Sequence, residues 1–139
     1  MTFHIKFDVP GDCIPKQRPR VTAHGTYYPA RPPGSRRLSY PEYRELVQAK
    51  ALSVPEWSWW SQRMDDKGHL HWGLSIKARL GRGDADNCLG SIMDALQGIL
   101  WKDDAQILQA TVTLERVGPR QPKGVEVEAW VLSFPPKDR

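Results

Sequence analysis

Four aspartates are the residues of this 139-residue chain whose type and spacing could most readily do chemistry. Asp84 and Asp86 lie two positions apart, and Asp103 and Asp104 follow after one apolar-striped segment. Carboxylates placed close together repel one another and lose hydration unless a cation lies between them. Mg²⁺ prefers such an all-oxygen environment and commonly assists phosphate chemistry. Because the rest of the chain is basic, the acids predict a metal site of the kind that a nuclease uses.

A basic stretch that contains no acid lies near the N-terminus, although the net charge of the chain is only +4. Six basic residues and no acid lie between Cys13 and Pro41. Such a stretch can bind a polyanion such as nucleic acid, although charge runs are more often simply solvated. An extended backbone would place alternate basic side chains on one side, facing successive phosphates. The residues concerned are Lys16, Arg18 and Arg20, and a second basic group could extend their surface, namely Arg31, Arg36 and Arg37.

Other compositional features exclude several classes of protein. The two cysteines, Cys13 and Cys88, do not make a disulfide framework, and no Cys/His spacing matches a zinc site. Nothing resembles a signal peptide or an apolar run long enough to span a membrane. A cytoplasmic protein is therefore expected.

The elements that must position the acids are read from hydrophobic periodicity. Apolar residues alternate in four segments, which predicts strands at residues 2–9, 70–80, 107–115 and 125–131, with Trp72 on a buried face. Apolar residues at helical spacing predict helices at residues 41–52 and 87–99. A turn-like stretch between the last two strands predicts that they pair as a hairpin. The fold class is a compact α/β (α+β) single domain over residues 1–139, with a mixed sheet and two main helices.

This order of elements suggests how the acids could meet. Asp84 and Asp86 follow the strand at 70–80, whereas Asp103 and Asp104 precede the strand at 107–115. If these strands are neighbours, the helix between them is expected to act as a clip that brings both acidic pairs together. A simpler interpretation is that Asp86 or Asn87 caps the helix and that the second pair lies in a polar turn. The residues alone leave both interpretations open.

The motifs resemble a known family in their type and order. Residues 84–87 (Asp-Ala-Asp-Asn), 93–96 (Met-Asp-Ala-Leu) and 103–107 (Asp-Asp-Ala-Gln-Ile) closely resemble the signature of the RusA-type Holliday junction resolvases, which are crossover junction endodeoxyribonucleases. Residues 15–20 (Pro-Lys-Gln-Arg-Pro-Arg) resemble the N-terminal basic motif of that family. The resemblance implies a homodimeric, Mg²⁺-dependent nuclease, often carried by phages and prophages, that cuts four-way DNA junctions.

Carried over by position, the resemblance assigns roles to individual residues. Asp84, Asp86 and Asp104 match the catalytic, metal-binding carboxylates, and Asp103 is a further candidate metal ligand. DNA contact becomes the favoured role for Lys16, Arg18 and Arg20, with Arg36 and Arg37 as further candidates.

One position departs from the family pattern. The lysine that usually follows the Asn by three residues is replaced here by Gly90. Lys102, beside the second acidic pair, could supply the missing positive charge to the scissile phosphate.

The leading hypothesis is therefore an Mg²⁺-dependent endodeoxyribonuclease, with Mn²⁺ as a substitute ion, acting on branched DNA. A homodimer is also expected on physical grounds, because the two scissile points of a four-way junction are related by symmetry. The alternative is a weakened or inactive protein that binds branched DNA, given Gly90. A third, weaker hypothesis is an Mg²⁺ enzyme that acts on free nucleotides.

Overall fold

The computed structural model of the chain describes residues 3–15, 20–23, 25–27, 37–61 and 70–133. Four strands form the main sheet, two short strands form a separate hairpin, and helices lie between them in sequence. The strands are β1 (His4–Pro10), β2 (Arg20–Thr22), β3 (Gly25–Tyr27), β4 (His71–Leu80), β5 (Ile107–Arg116) and β6 (Gly124–Ser133). The helices are α1 (Tyr40–Leu52), α2 (Glu56–Ser61) and α3 (Ala85–Leu96). The predicted α/β class with a mixed sheet is thus confirmed.

The main sheet has the strand order β1-β6-β4-β5. β6 is antiparallel to both of its neighbours, whereas β4 and β5 are parallel. The strands at 70–80 and 107–115 are neighbours, which was the condition for the helix between them to bring the acids together. The predicted hairpin of the last two strands is wrong, because β6 lies between β1 and β4 rather than beside β5.

Burial explains why β6 takes an inner position. Its inward side chains Val125, Val127 and Ala129 are almost completely buried, whereas β5 is largely exposed. The ring of Trp130 lies over Gly73 of β4, where a Cβ atom would come within 2.3 Å of the indole. A glycine in the facing strand therefore makes room for the indole and fits β6 against β4.

Helices α1 and α3 pack on one face of the sheet and enclose the core. Trp72 is fully buried, as its position in the strand predicts, and makes edge-to-face contacts with Phe3 and Trp101. The Tyr40 hydroxyl of α1 donates to the Asp94 carboxylate of α3. The packing therefore fixes α3, which begins just after the first acidic residue.

Element boundaries differ from the prediction at α3. The helix begins at Ala85 rather than residue 87, because Asp84 takes the N-cap position that was expected for Asp86 or Asn87. It ends at Leu96, and the chain then turns at Gly98, whose φ of +90° is costly for other residues. No helix in the described part of the chain is long and apolar enough to cross a membrane.

Candidate functional site

Asp84 lies at the end of the turn that connects β4 to α3. A turn at Gly83, with φ of +95°, leads into Asp84, whose Oδ1 accepts a hydrogen bond of 2.8 Å from the Asn87 amide. Arg116, at the end of β5, donates from Nη2 to the Gly83 carbonyl at 2.6 Å. Asp86 is exposed in the first turn of the helix. Both carboxylates thus lie at the N-terminus of α3, which is the positive end of the helix dipole.

A cleft of about 180 Å³ opens beside this helix start. Two arginines, Arg37 and Arg82, line it together with Asp84, Asn87 and Pro15. Arginine can hold a phosphate through two parallel hydrogen bonds. The cleft therefore places cationic groups next to a carboxylate, in a space large enough for one phosphodiester group.

The segment that leads into the N-terminal basic stretch is tied to α3. Ser91 Oγ donates to the Ile14 carbonyl at 2.6 Å, and Cys13 Sγ lies 3.9 Å from the Cys88 carbonyl. The hydrogen bond with Cys13, together with burial, raises the pKa of the Cys88 thiol. Cys88 is therefore a protonated packing residue, as expected from its place at the helix start.

The second acidic pair lies in a turn that precedes β5. Asp103 caps a 3₁₀ helix (Asp104–Gln106) by accepting a 2.9 Å hydrogen bond from the Ala105 amide. Asp104 is half-buried, and its Oδ1 accepts a 3.1 Å hydrogen bond from Trp101 Nε1. Its orientation is consequently fixed by a fully buried indole.

Gln106 holds this turn against the sheet. Its Oε1 accepts hydrogen bonds from the amides of Lys102 and Asp103, at 2.9 and 3.0 Å. Its Nε2 donates to the Leu70 carbonyl at the start of β4, at 2.9 Å. Three backbone groups are thus satisfied by one buried side chain, which is a positioning residue for the acidic turn.

The two acidic groups lie at opposite ends of the sheet. Leu80 pairs with Arg116 and Trp72 pairs with Ile107, so the end of β4 is far from the start of β5. β4 rises about 26 Å between Trp72 and Leu80. The expectation that the helix brings the two acidic pairs together is therefore wrong for a single chain. A helix that links two adjacent parallel strands runs back along the sheet, so the end of the first strand and the start of the second lie at opposite ends of the sheet.

A single copy of the described chain does not bring the two acidic pairs together around one Mg²⁺ ion. The ligands of Mg²⁺ lie about 2.0–2.1 Å from the metal, which requires carboxylates in contact with the same ion. Among the described residues, no group of three or more His, Cys, Asp or Glu side chains could hold a metal ion. Asp84, Asp86, Asp103 and Asp104 remain predicted ligands, but the acids of one chain are divided between two places.

The other predicted residues fall into three groups. Lys16, Arg18 and Arg36 lie outside the described residues, and only the backbone of Arg20 is described, in β2. Arg37 is brought to the cleft beside Asp84. Lys102 is exposed next to Asp103, and therefore lies at the Asp104 end of the sheet.

Two residues of the site were missed by the sequence reasoning. Arg82 lines the cleft, and its only signal was a basic residue within the Gly-Arg-Gly turn before Asp84. Gln106 stands inside the second acidic motif, but nothing in its type indicated that it would be buried. A polar residue directly before a strand is ordinarily solvated, and so it gave no signal.

The cap at Asp84 makes a prediction that separates folding from chemistry. Asp84→Ala is expected to lower the free energy of unfolding by about 1 kcal/mol, because the Asn87 amide loses its acceptor. Asp84→Asn should leave stability nearly unchanged, since Asn caps helices as well as Asp does. Thermal unfolding of the two variants measures the difference, and equal losses of stability would contradict the capping role.

Comparison with known proteins agrees with these features. The chain matches the family model of the endodeoxyribonuclease RusA over residues 10–129. No match was found among curated proteins. The match covers most of the chain, and the protein therefore belongs to the RusA endodeoxyribonuclease family. This is in general a family of Holliday junction-resolving endonucleases, which bind branched DNA and usually depend on a divalent metal ion.

Proposed function

We propose that this protein is an Mg²⁺-dependent endodeoxyribonuclease that resolves four-way DNA junctions by phosphodiester hydrolysis, acting as a homodimer. The observation that carries the proposal is the cleft in which Arg37 and Arg82 flank Asp84 at the start of α3. Membership of an endodeoxyribonuclease family indicates that the phosphate bound in this cleft would belong to a DNA backbone. Mn²⁺ is expected to substitute for Mg²⁺, because it also binds oxygen ligands.

The residues of the cleft suggest how the DNA backbone is held. Two guanidinium groups can neutralise a phosphate and fix its orientation through paired hydrogen bonds. Such contacts position the strand without reading its bases, as selection by DNA shape requires. Basic residues of the N-terminal stretch would extend this surface along the strand, namely Lys16, Arg18, Arg20 and Arg36.

The proposed catalytic groups are Asp84, Asp86 and Asp104, with Asp103 as a further metal ligand. Lys102 would contribute positive charge near Asp104. A symmetric dimer supports paired cutting, because a two-fold axis gives two identical sites for the two scissile points of a junction.

The alternative is a protein that binds branched DNA but cuts it weakly. Gly90 favours this alternative because it replaces the family lysine one helical turn after Asp86. Residues four apart lie on the same face of a helix, so a lysine at this position would stand beside Asp86.

Gly90→Lys tests the alternative directly. A Cβ atom at Gly90 meets nothing within 4 Å, so a side chain can start there without a clash at its first atom. If the glycine has lowered the cleavage activity, the Gly90→Lys variant should raise the cleavage rate severalfold or more. Gly90→Ala is the matched control, because both changes improve helix propensity by about 0.5–1 kcal/mol and only one adds charge. An unchanged rate in the lysine variant would point to Lys102 or another basic residue as the replacement.

The proposed activity is tested by cleavage of a labelled four-way junction beside a linear duplex, with Mg²⁺, Mn²⁺ or EDTA. We expect symmetric cuts in the junction with either metal, none with EDTA and little cutting of the duplex. Binding without cutting in both metals would favour the alternative function. Turnover of free nucleotides with no preference for junctions would contradict both the proposed nuclease activity and the alternative of a DNA-binding protein.

A further inference from the structure

Two thiols and a phenol meet beside the cleft, and the proposed cleavage uses none of them. Cys13 Sγ lies 3.9 Å from the Cys88 carbonyl, and the two thiol groups are hydrogen-bonded to each other. The hydroxyl of Tyr43, on α1, interacts with the same Cys13 sulfur. Cys13 and Cys88 are 75 positions apart in the sequence, so the fold alone brings this pair together.

The cleft beside Asp84 gives a small molecule a route to the two thiols. Cys13 and Cys88 are only 9% and 2% exposed, but both line this cleft of about 180 Å³. Hydrogen peroxide is close to water in size, and a space that holds one phosphodiester group also admits it. Thiols buried within a core are ordinarily inert. These two thiols differ from such residues because a solvent-filled space reaches them.

The surroundings of Cys13 favour its thiolate, which is the nucleophilic form of a cysteine. A hydrogen bond from the Cys88 thiol lowers the pKa of Cys13, and Tyr43 and Arg37 act in the same direction, against the effect of burial. Burial raises the pKa of Tyr43, so its hydroxyl stays protonated and can donate to the sulfur. Among the described residues, the Tyr43 hydroxyl has no oxygen or nitrogen partner. Cys13 is therefore the attacking thiol, and Cys88 lies in contact with it.

We propose that Cys13 and Cys88 form a peroxide-sensitive dithiol, which hydrogen peroxide closes to a disulfide that narrows the cleft. The Cys13 thiolate attacks one peroxide oxygen, the O–O bond breaks, and the hydroxide that leaves takes up the proton that Cys13 released. Cys88 sulfur then attacks the resulting sulfenic acid, and the second hydroxide leaves with the Cys88 proton. Two thiols and one peroxide thus give a disulfide and two waters, and the peroxide gains the two electrons that the sulfurs lose.

The disulfide would join the two walls of the cleft. Cys13 and Pro15 belong to the N-terminal segment, whereas Asn87 and Cys88 belong to α3, and Asp84 caps that helix. The two sulfurs of a disulfide lie only about 2.05 Å apart, which is much closer than two unbonded sulfurs can approach. Closure therefore draws the walls together in the space that holds the DNA phosphate. This part of the inference rests on the proposed function, whereas formation of the disulfide does not.

Mass spectrometry of the wild-type protein tests the disulfide itself. The reduced protein is treated with hydrogen peroxide, quenched with catalase, and alkylated with N-ethylmaleimide in denaturant. We expect an intact mass that is lower by two hydrogens, no added maleimide, and a peptide pair that links Cys13 to Cys88. Maleimide on both cysteines after peroxide treatment, or chains joined to each other on a non-reducing gel, would overturn the proposal.

Single substitutions test the roles of the two sulfurs. Cys88→Ser should stop at the sulfenic acid of Cys13, which dimedone traps, because the second thiol is missing. Cys13→Ser should give no dimedone adduct at the same dose of peroxide. Adducts on Cys88 in the Cys13→Ser protein, with none on Cys13 in the Cys88→Ser protein, would overturn the assignment of the attacking thiol.

Tyr43→Phe separates a donor from a packing residue. The variant should slow oxidation of Cys13 severalfold, because the thiolate loses a hydrogen-bond donor. Its unfolding temperature should not fall, since the substitution keeps the ring and removes a hydroxyl that has no oxygen or nitrogen partner in the described part of the chain. An unchanged rate of oxidation would contradict the role of Tyr43 as a donor.

Binding of a labelled four-way junction in EDTA tests the narrowing of the cleft. Oxidised wild-type protein should bind at least severalfold more weakly than the reduced protein, and dithiothreitol should restore the affinity. Cys13→Ser is the matched control, and the same peroxide treatment should leave its affinity unchanged. A disulfide with unaltered junction binding would overturn the narrowing. Reduced wild-type protein that binds no junction would contradict the proposed function, and the disulfide seen by mass would still stand.

Discussion

Asp86→Asn is expected to lower junction cleavage by more than about a hundredfold while leaving junction binding nearly unchanged. Groups that merely support metal ligands typically contribute 10- to 100-fold, so loss of a proposed ligand should exceed about that amount. Stability should change little, because Asp86 is exposed and Asp84, rather than Asp86, caps α3. Single-turnover cleavage and gel-shift binding of the same labelled junction measure the two effects.

The control for this experiment is an acid of the same type on the far side of the sheet. Asp8 is exposed on β1, at the edge opposite β5, and Asp8→Asn removes the same charge from the molecule. Its cleavage rate should match that of the wild type. A rate for Asp86→Asn close to wild type would remove this carboxylate from the proposed mechanism, and an equal loss in both variants would indicate a general effect of charge.

Local structure was largely predictable because it follows from side-chain burial. The alternation in residues 70–80 reflects one face of β4 that packs under the helices, and Trp72 lies on that face as expected. The α3 helix was also expected, but its cap was assigned to the wrong residue. Asp-Ala-Asp-Asn offers three capping side chains, and the turn at Gly83 decides which of them meets the first free amides.

Strand order was not predictable in the same way. The last two strands are separated by a turn-like stretch, which favours a hairpin, yet β6 pairs with β1 and β4. The deciding interactions are long-range, including the indole of Trp130 over Gly73. No periodicity within either strand contains that information.

The acidic motif indicated a class of function but not the distance between the acids. The acids indicated a nuclease, and the family match agrees with a nuclease. Their role as metal ligands stays a prediction. Their proximity was inferred from the helix between them, although a helix that joins adjacent parallel strands separates the ends it connects. The distance between Asp84 and Asp104 is therefore set by the parallel direction of β4 and β5, which cannot be read from the acidic motif.

Gln106→Leu is expected to have the largest effect on stability among changes near the acidic turn. The substitution leaves the amides of Lys102 and Asp103 and the carbonyl of Leu70 without their side-chain partner. Unsatisfied groups cost about 1–3 kcal/mol each when buried, and partial access to water should limit the total to about 2–4 kcal/mol. Urea unfolding measures this loss, and Gln97→Leu, at an exposed glutamine, is the matched control.

Gln106→Glu then separates positioning from stability. A carboxylate can still accept from the amides of Lys102 and Asp103, but it cannot donate to the Leu70 carbonyl and its charge is partly removed from water, so this variant should also lose stability. Because the acceptor contacts hold the turn that carries Asp104, cleavage by this variant should exceed that of Gln106→Leu when both are assayed well below their unfolding temperatures. Equal cleavage by the two variants would mean that Gln106 supports the fold without positioning the acid, and Asp104 would then depend on Trp101 alone for its orientation.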